Sequence, residues 1–253
     1  MANVKLGTKA VGSIVKIKVN GASKDFIVVQ QGNPNTGTYD SSCAGTWLLM
    51  KDIYTTSTFG NNNSYKDSSI HTYLNGTFYN LIDSNIRAAI KQVKIPYQNG
   101  TGSGGSLATG SNGLSTKVFL LSGYEVGWTT SDNGYFPKDG VRLAYFGNSS
   151  SGNSKRIAYN GSSAAIWWLR SPRTSDTAAS GASTPVAPAT TTGTATPVVF
   201  APLSFFPLHS WSLTTARSVS TLHLPSARTA QLLARRTRPL RGNTPSPMPT
   251  ATA

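Results

Sequence analysis

Ala165-Ile166-Trp167-Trp168-Leu169-Arg170-Ser171-Pro172 is the stretch on which the reading of this chain turns. Five apolar residues, two of them adjacent tryptophans, run into an arginine and a proline stop. A run this short, bounded by Ser162-Ser163 and Ser171-Pro172, predicts a buried strand rather than a helix. Two indoles bring a large apolar payload, and each N–H requires an acceptor once it leaves water. Beyond Pro172 the composition changes. All ten tyrosines and 21 of the 24 glycines lie at or before it, whereas ten of the fourteen prolines follow it. Asp176 is the single acid of that remainder and Asn243 the single asparagine. Ala, Thr, Pro, Ser and Arg make up most of the rest, with no sustained period of 3.6 or 2. One folded domain over residues 4–172 and an irregular, disordered tail over 173–253 are therefore expected.

Upstream, Val15, Ile17 and Val19 alternate with Lys16 and Lys18, the pattern of a half-buried strand. Asn20-Gly21 suits a tight turn, and Phe26 to Val29 returns, so Gly12 to Val29 reads as a β-hairpin. Trp47-Leu48-Leu49-Met50 is a third, fully apolar strand. Two helices follow. Asp67 or Ser68 caps the first, with Ile70, Tyr73, Leu74, Phe78 and Leu81 on one face and Asn75-Gly76 weakening its middle. Asp83 or Ser84 caps the second, with Ile86, Ile90 and Val93 as its stripe and Pro96 as its end. Lys117 to Ser122 reads as a strand. Segments 30–45, 99–115 and 128–154 are rich in Gly, Ser and Asn and read as surface loops. The fold class is α+β: a hairpin, two helices and a small mixed sheet.

The formal charge of +14 invites a nucleic-acid partner. Front-part cations are scattered, however, and the cluster Arg235, Arg236, Arg238 and Arg241 lies in the tail, so no specific nucleic-acid binding is expected. Cys43 is the only cysteine and excludes an intrachain disulfide. The N-terminus lacks the apolar core of a signal peptide, and no run reaches the length of a membrane span. Synthesis in the cytoplasm is expected. Glu125, the only glutamate, follows Gly123-Tyr124 and is either a catalytic acid or a hydrogen-bonded structural carboxylate. His71 is the one histidine of the front part, and no Ser-His-Asp order, P-loop or HExxH string occurs. No enzyme, cofactor or metal is expected. Asp132-Asn133 with Asp139 is a weak cation possibility.

The order of hairpin, two helices, a strand ending LLSGYE, a long loop and WWLRSP resembles an uncharacterised domain family with a C-type-lectin-like fold. That family occurs in phage structural proteins and bacterial surface proteins, and the likeness covers Val11 to Pro172. In it, Trp167, Trp168, Leu169, Arg170, Ser171, Pro172 and Glu125 stand as a structural signature. The resemblance implies a non-catalytic binding and display module, such as a phage tail or virion component. Its partners would be virion or tail proteins and a cell-surface glycan or protein receptor, so its place is the virion or an extracellular surface. A bacterial adhesin-like protein is the alternative, with a catalytic relative of the formylglycine-generating fold behind it. Tyr and Trp give rigid contact area and Ser, Asn and Gly adaptable hydrogen bonds, which makes Tyr124, Trp128, Asp132, Asn133 and Tyr135 the candidate ligand-loop residues.

Members of the family close the domain with a strand close to Gly-Val-Arg-Pro-Ala-Phe-Ile-Leu-Pro, which is absent here as written. Val198 to Pro207 can be coded GTG GTG TTC GCC CCG CTT TCA TTC TTC CCT, and read from its third base that string gives the closing strand. A change of frame between Arg173 and Asp176 is expected. Without that strand the sheet would keep an open, aggregation-prone edge and leave Trp167 and Trp168 partly uncovered. The coding DNA checks this: a single-base shift between the codons of Pro172 and Val199 should restore the closing strand, and its failure to do so ends the idea.

Overall fold

The computed structural model describes residues 4–59, 64–99, 105–128, 136–147, 153–172, 180–183, 198–200, 203–206 and 212–213. The chain divides into two units, Met1–Leu213 and Thr214–Ala253, and the second lies wholly outside the described residues. After the two-residue strand β1 (Val4–Lys5), alternation forms β2 (Ile14–Val19), with Val15, Ile17 and Val19 buried and their neighbours exposed. Asn20 and Gly21 both take positive φ, 50° and 74°. Two such residues in a row make the tight turn whose twist suits a hairpin. Through it β3 (Ala22–Gln31) returns antiparallel, pairing Val19 with Ala22. Next comes β4 (Thr46–Met50), buried at all five positions. Its Trp47 ring meets Tyr39 and Phe119 edge-on, with centroids 5.6 and 5.4 Å apart. The short strand β5 (Thr55–Ser57) follows.

The first helix departs from a continuous one. α1 (Ser69–Tyr73), capped by Ser68 Oγ accepting from His71 N, gives way to a π-turn at Leu74–Phe78 and then to α2 (Tyr79–Leu81). The expected stripe still holds, with Ile70, Leu74 and Phe78 buried. Asn75, read as a weak point, accounts for the widened turn. Its Oδ1 accepts from Lys117 N, Val118 N and Thr116 Oγ1, at 2.9, 3.2 and 3.0 Å. Its Nδ2 donates to His71 O and Val118 O. By donating to His71 O, the carbonyl four residues back, the Asn75 side chain competes with the regular helical ladder at this point. The second helix, α3 (Ser84–Ala89), stops short of the expected Pro96. Val93 and Ile95 belong instead to β6 (Val93–Ile95), where both are fully buried. Their β-branched alternation fits a pleated surface better than a helix end.

The loop expected at 99–115 is also corrected. β7 (Tyr97–Asn99) pairs with β8 (Ser106–Ala108), and β9 (Leu114–Thr116) pairs with β6. Within the expected strand from Lys117 to Ser122, β10 (Val118–Phe119) is the extended part. A small hairpin of β11 (Ala158–Asn160) and β12 (Ser163–Ala165) leads into β13 (Trp167–Pro172), buried throughout. Four stretches beyond the expected boundary at Pro172 are also strands: β14 (Ser180–Ser183), β15 (Val198–Phe200), β16 (Leu203–Phe206) and β17 (Ser212–Leu213). The rest of the expected tail lies outside the described residues. β16 lies between β10 and β4 in a five-stranded antiparallel sheet of order β10-β16-β4-β3-β2. A mixed four-stranded sheet has the order β14-β13-β15-β5, with β13 and β15 parallel. The expected uncovering of the tryptophans is thus not seen, for β13 is flanked on both sides and Trp167 and Trp168 are each 2% exposed. The architecture is mixed α+β, mostly strands in small sheets with few short helices.

Replacing Asn75 would leave the backbone N–H groups of Lys117 and Val118 without their acceptor and the carbonyl of Val118 without the Asn75 donor. Asn75→Ala is expected to lower the unfolding free energy by about 2–3 kcal/mol, read as a drop in the urea midpoint, with a loss under 1 kcal/mol counting against the bridging role.

Candidate functional site

Arg170 sits in the middle of a wholly buried strand, so its charge has to be answered inside the protein. A guanidinium has five N–H donors, and here each one finds an acceptor. Nε donates to Pro96 O at 3.0 Å. Nη1 donates to Leu120 O at 2.9 Å and to Glu125 Oε2 at 2.6 Å. Nη2 donates to Asp139 O at 2.8 Å and to Glu125 Oε1 at 2.6 Å. The pairing with Glu125 is bidentate, the strongest geometry available to these two groups. Neither side chain reaches solvent.

Glu125 is equally saturated. Oε1 also accepts from Tyr39 Oη at 2.7 Å, and Oε2 from the backbone N of Ser122 at 2.9 Å. Tyr39 Oη in turn accepts from Val141 N. Burial first, and then the Glu125 charge, hold the Tyr39 phenol well above its ordinary value. Ser171 Oγ accepts from Gly123 N and donates to the Asp139 carboxylate at 2.8 Å. Asp139 is fully buried, and burial lifts it from 3.8 to about 7 against the pull of Arg170. Gly140 is required by close approach: a Cβ there would stand 2.7 Å from Ser122 Oγ and 2.8 Å from Tyr39 Oη. The cluster therefore ties β13 to the segments around Tyr39, 120–125 and 139–143. With the side chains of Glu125 and Arg170 and the whole of Asp139 closed to solvent, it works as an internal clamp.

The signature residues Trp167, Trp168, Leu169, Arg170, Ser171 and Pro172 form β13 itself. The indole of Trp167 donates to Arg156 O at 2.8 Å and that of Trp168 to Ser57 O at 3.0 Å. Of the candidate ligand-loop residues, Tyr124 is half-buried. Trp128 is buried, with the Arg156 guanidinium 4.4 Å over its ring. Asp132, Asn133 and Tyr135 lie outside the described residues. Asp139, read as a possible cation ligand, is instead part of the clamp. Cys43 donates to Lys94 O, and burial pushes its thiol up to about 12. His71 packs against Tyr65 and is held below its ordinary value by burial. Among the described residues no group of three or more His, Cys, Asp or Glu comes together to hold a metal. None of their helices is long and apolar enough to cross a membrane.

One concave feature opens beside β13, a groove of about 190 Å³ between the end of β4 and β11. Its floor is apolar, made by Ile27, Leu49, Met50 and Trp167. Lys51, Asp52, Tyr145, Lys155 and Tyr159 rim it. None of these rim residues stands out in the sequence, because they come from segments about a hundred residues apart. Arg170 gave the one signal that could have led to the clamp: a cation in an apolar run needs a partner, and the chain has a single glutamate.

The family described as Domain of unknown function (DUF6273) matches residues 44–199. No curated protein and no solved structure matches the chain. The matched span contains Glu125, Asp139 and the whole of β13.

Because the folded-state value of Asp139 lies above its ordinary one, the native state holds the proton more tightly than the unfolded chain. The stability linked to that proton is present in full below about pH 4 and is lost as pH rises through about 7. Asp139→Asn should remove this dependence. Urea unfolding at pH 5 and pH 8 is expected to show the variant gaining on the unmodified protein at the higher pH, and a gap that does not change with pH would contradict the buried carboxyl.

Proposed function

The chain belongs to the DUF6273 family, and on that premise we propose that it is a non-catalytic ligand-binding and display module. Its domain is C-type-lectin-like, and its place is a phage tail or virion, where it contacts a cell-surface glycan or protein receptor alongside virion or tail proteins. A bacterial surface adhesin is the same reading with a different location. The observation that carries it is the sealed clamp: Glu125 and Arg170, the residues most suggestive of chemistry, are saturated by each other and by backbone carbonyls. Their role on this reading is to hold connecting segments in fixed positions, as a scaffold for recognition loops requires.

The change of reading frame after Pro172 is proposed on the same footing. Support comes from the place taken by β16. Within the five-stranded sheet β16 pairs with β4 on one side and β10 on the other, the place a closing strand of the domain would take. The register sets Ser204 opposite Leu48 and Val118.

Binding is the direct test. Labelled chain is expected to adsorb saturably to intact cells of a susceptible bacterial strain and to be displaced by unlabelled chain. Adsorption no greater than that of the urea-unfolded chain across a broad bacterial panel would overturn the proposal.

A further inference from the structure

We infer that the groove beside β13 is a binding site for a single carboxylate-bearing sugar, an inference that rests on the binding-module reading and locates its site. The groove is small, about 190 Å³, the scale of one six-membered ring with its substituents. An apolar floor under a polar rim suits an amphipathic ligand whose ring has a C–H face and whose edge bears hydroxyls. Tyr159, 43% exposed, and Tyr145 supply flat faces with a hydroxyl at the tip. Lys51 and Lys155 outnumber Asp52 at the rim, and the buried Arg156 adds a third positive charge to the lining. That excess selects an acid over a neutral sugar.

The rim is set before any ligand arrives. Lys155 Nζ donates to Tyr145 O at 2.8 Å and stands 5.0 Å over the Tyr145 ring. Ile53 N donates to Tyr159 O at 2.9 Å, which ties the Lys51-Asp52 turn to β11. Tyr145 N donates to Val29 O at 3.0 Å, which anchors the third side. A site fixed by its own hydrogen bonds loses little freedom on binding.

Calorimetric titration of the full chain with glucuronate, glucose and acetate tests this. Glucuronate is expected to bind with a Kd of about 1 mM, glucose at least tenfold more weakly and acetate not at all. Tyr159→Ala and Lys51→Ala, both at exposed positions, should each weaken glucuronate at least fivefold while leaving the melting temperature unchanged. Absence of glucuronate binding, equal binding of glucose, or full affinity in the Tyr159→Ala, Lys51→Ala double variant would each overturn the assignment. A chain that adsorbs to cells yet ignores glucuronate refutes the groove alone, whereas one that does neither refutes the binding module as well.

Discussion

The bidentate pair between Arg170 and Glu125 is the interaction on which the arrangement of the loops depends. Taking a guanidinium and a carboxylate out of water costs several kcal/mol per ion, and mutual attraction alone seldom offsets it. The balance here comes from complete hydrogen bonding. Three backbone carbonyls, from Pro96, Leu120 and Asp139, take the remaining guanidinium donors. A phenol and an amide complete the carboxylate. Removing either charge would leave the other buried and uncompensated, so every segment that supplies a partner is held to the same point. Asp139 adds a second carboxyl to the cluster; its burial raises its proton affinity more than the Arg170 charge lowers it, and the Glu125 charge adds a smaller rise.

β13 joins this clamp to the outer groove. Arg170 is at the clamp, while Trp167 floors the groove and donates its indole N–H to Arg156 O. The pairing of β13 shifts register between Trp168 and Pro172, in the stretch that contains Arg170. Such a break in the ladder lets a strand re-aim a side chain and often sits beside special sites. The two tryptophans anchor the strand against the core, with Trp168 packed 5.3 Å from Phe59, so the polar contacts of Arg170 and Ser171 rest on a rigid base.

Local patterns in the sequence were readable where one residue type meets one physical need. Asn20-Gly21 demanded positive φ and turned the hairpin; the apolar run at Trp47 could only be a buried strand. Reading failed where a distant partner decided the outcome. Asn75 looked like a helix weakness until Val118, 43 positions away, was seen to take its hydrogen bonds. Val93 continued a helical stripe on paper, yet β9 drew it into a strand. The clamp itself joins Tyr39 to Glu125 across 86 positions and Glu125 to Arg170 across 45, separations that no periodicity records.

By itself the sequence determined the α+β class, the hairpin, the places where the two helices begin and the buried character of the strand that ends in Pro172. These follow from backbone preference and from burial of one face, which act within a few residues. Tertiary structure alone decided that Glu125 is buried against Arg170, that Asp139 joins them, and that Tyr145 and Tyr159 line one groove. Those outcomes depend on which distant groups are brought within hydrogen-bonding reach after the apolar core has excluded water, and only the folded chain sets that proximity.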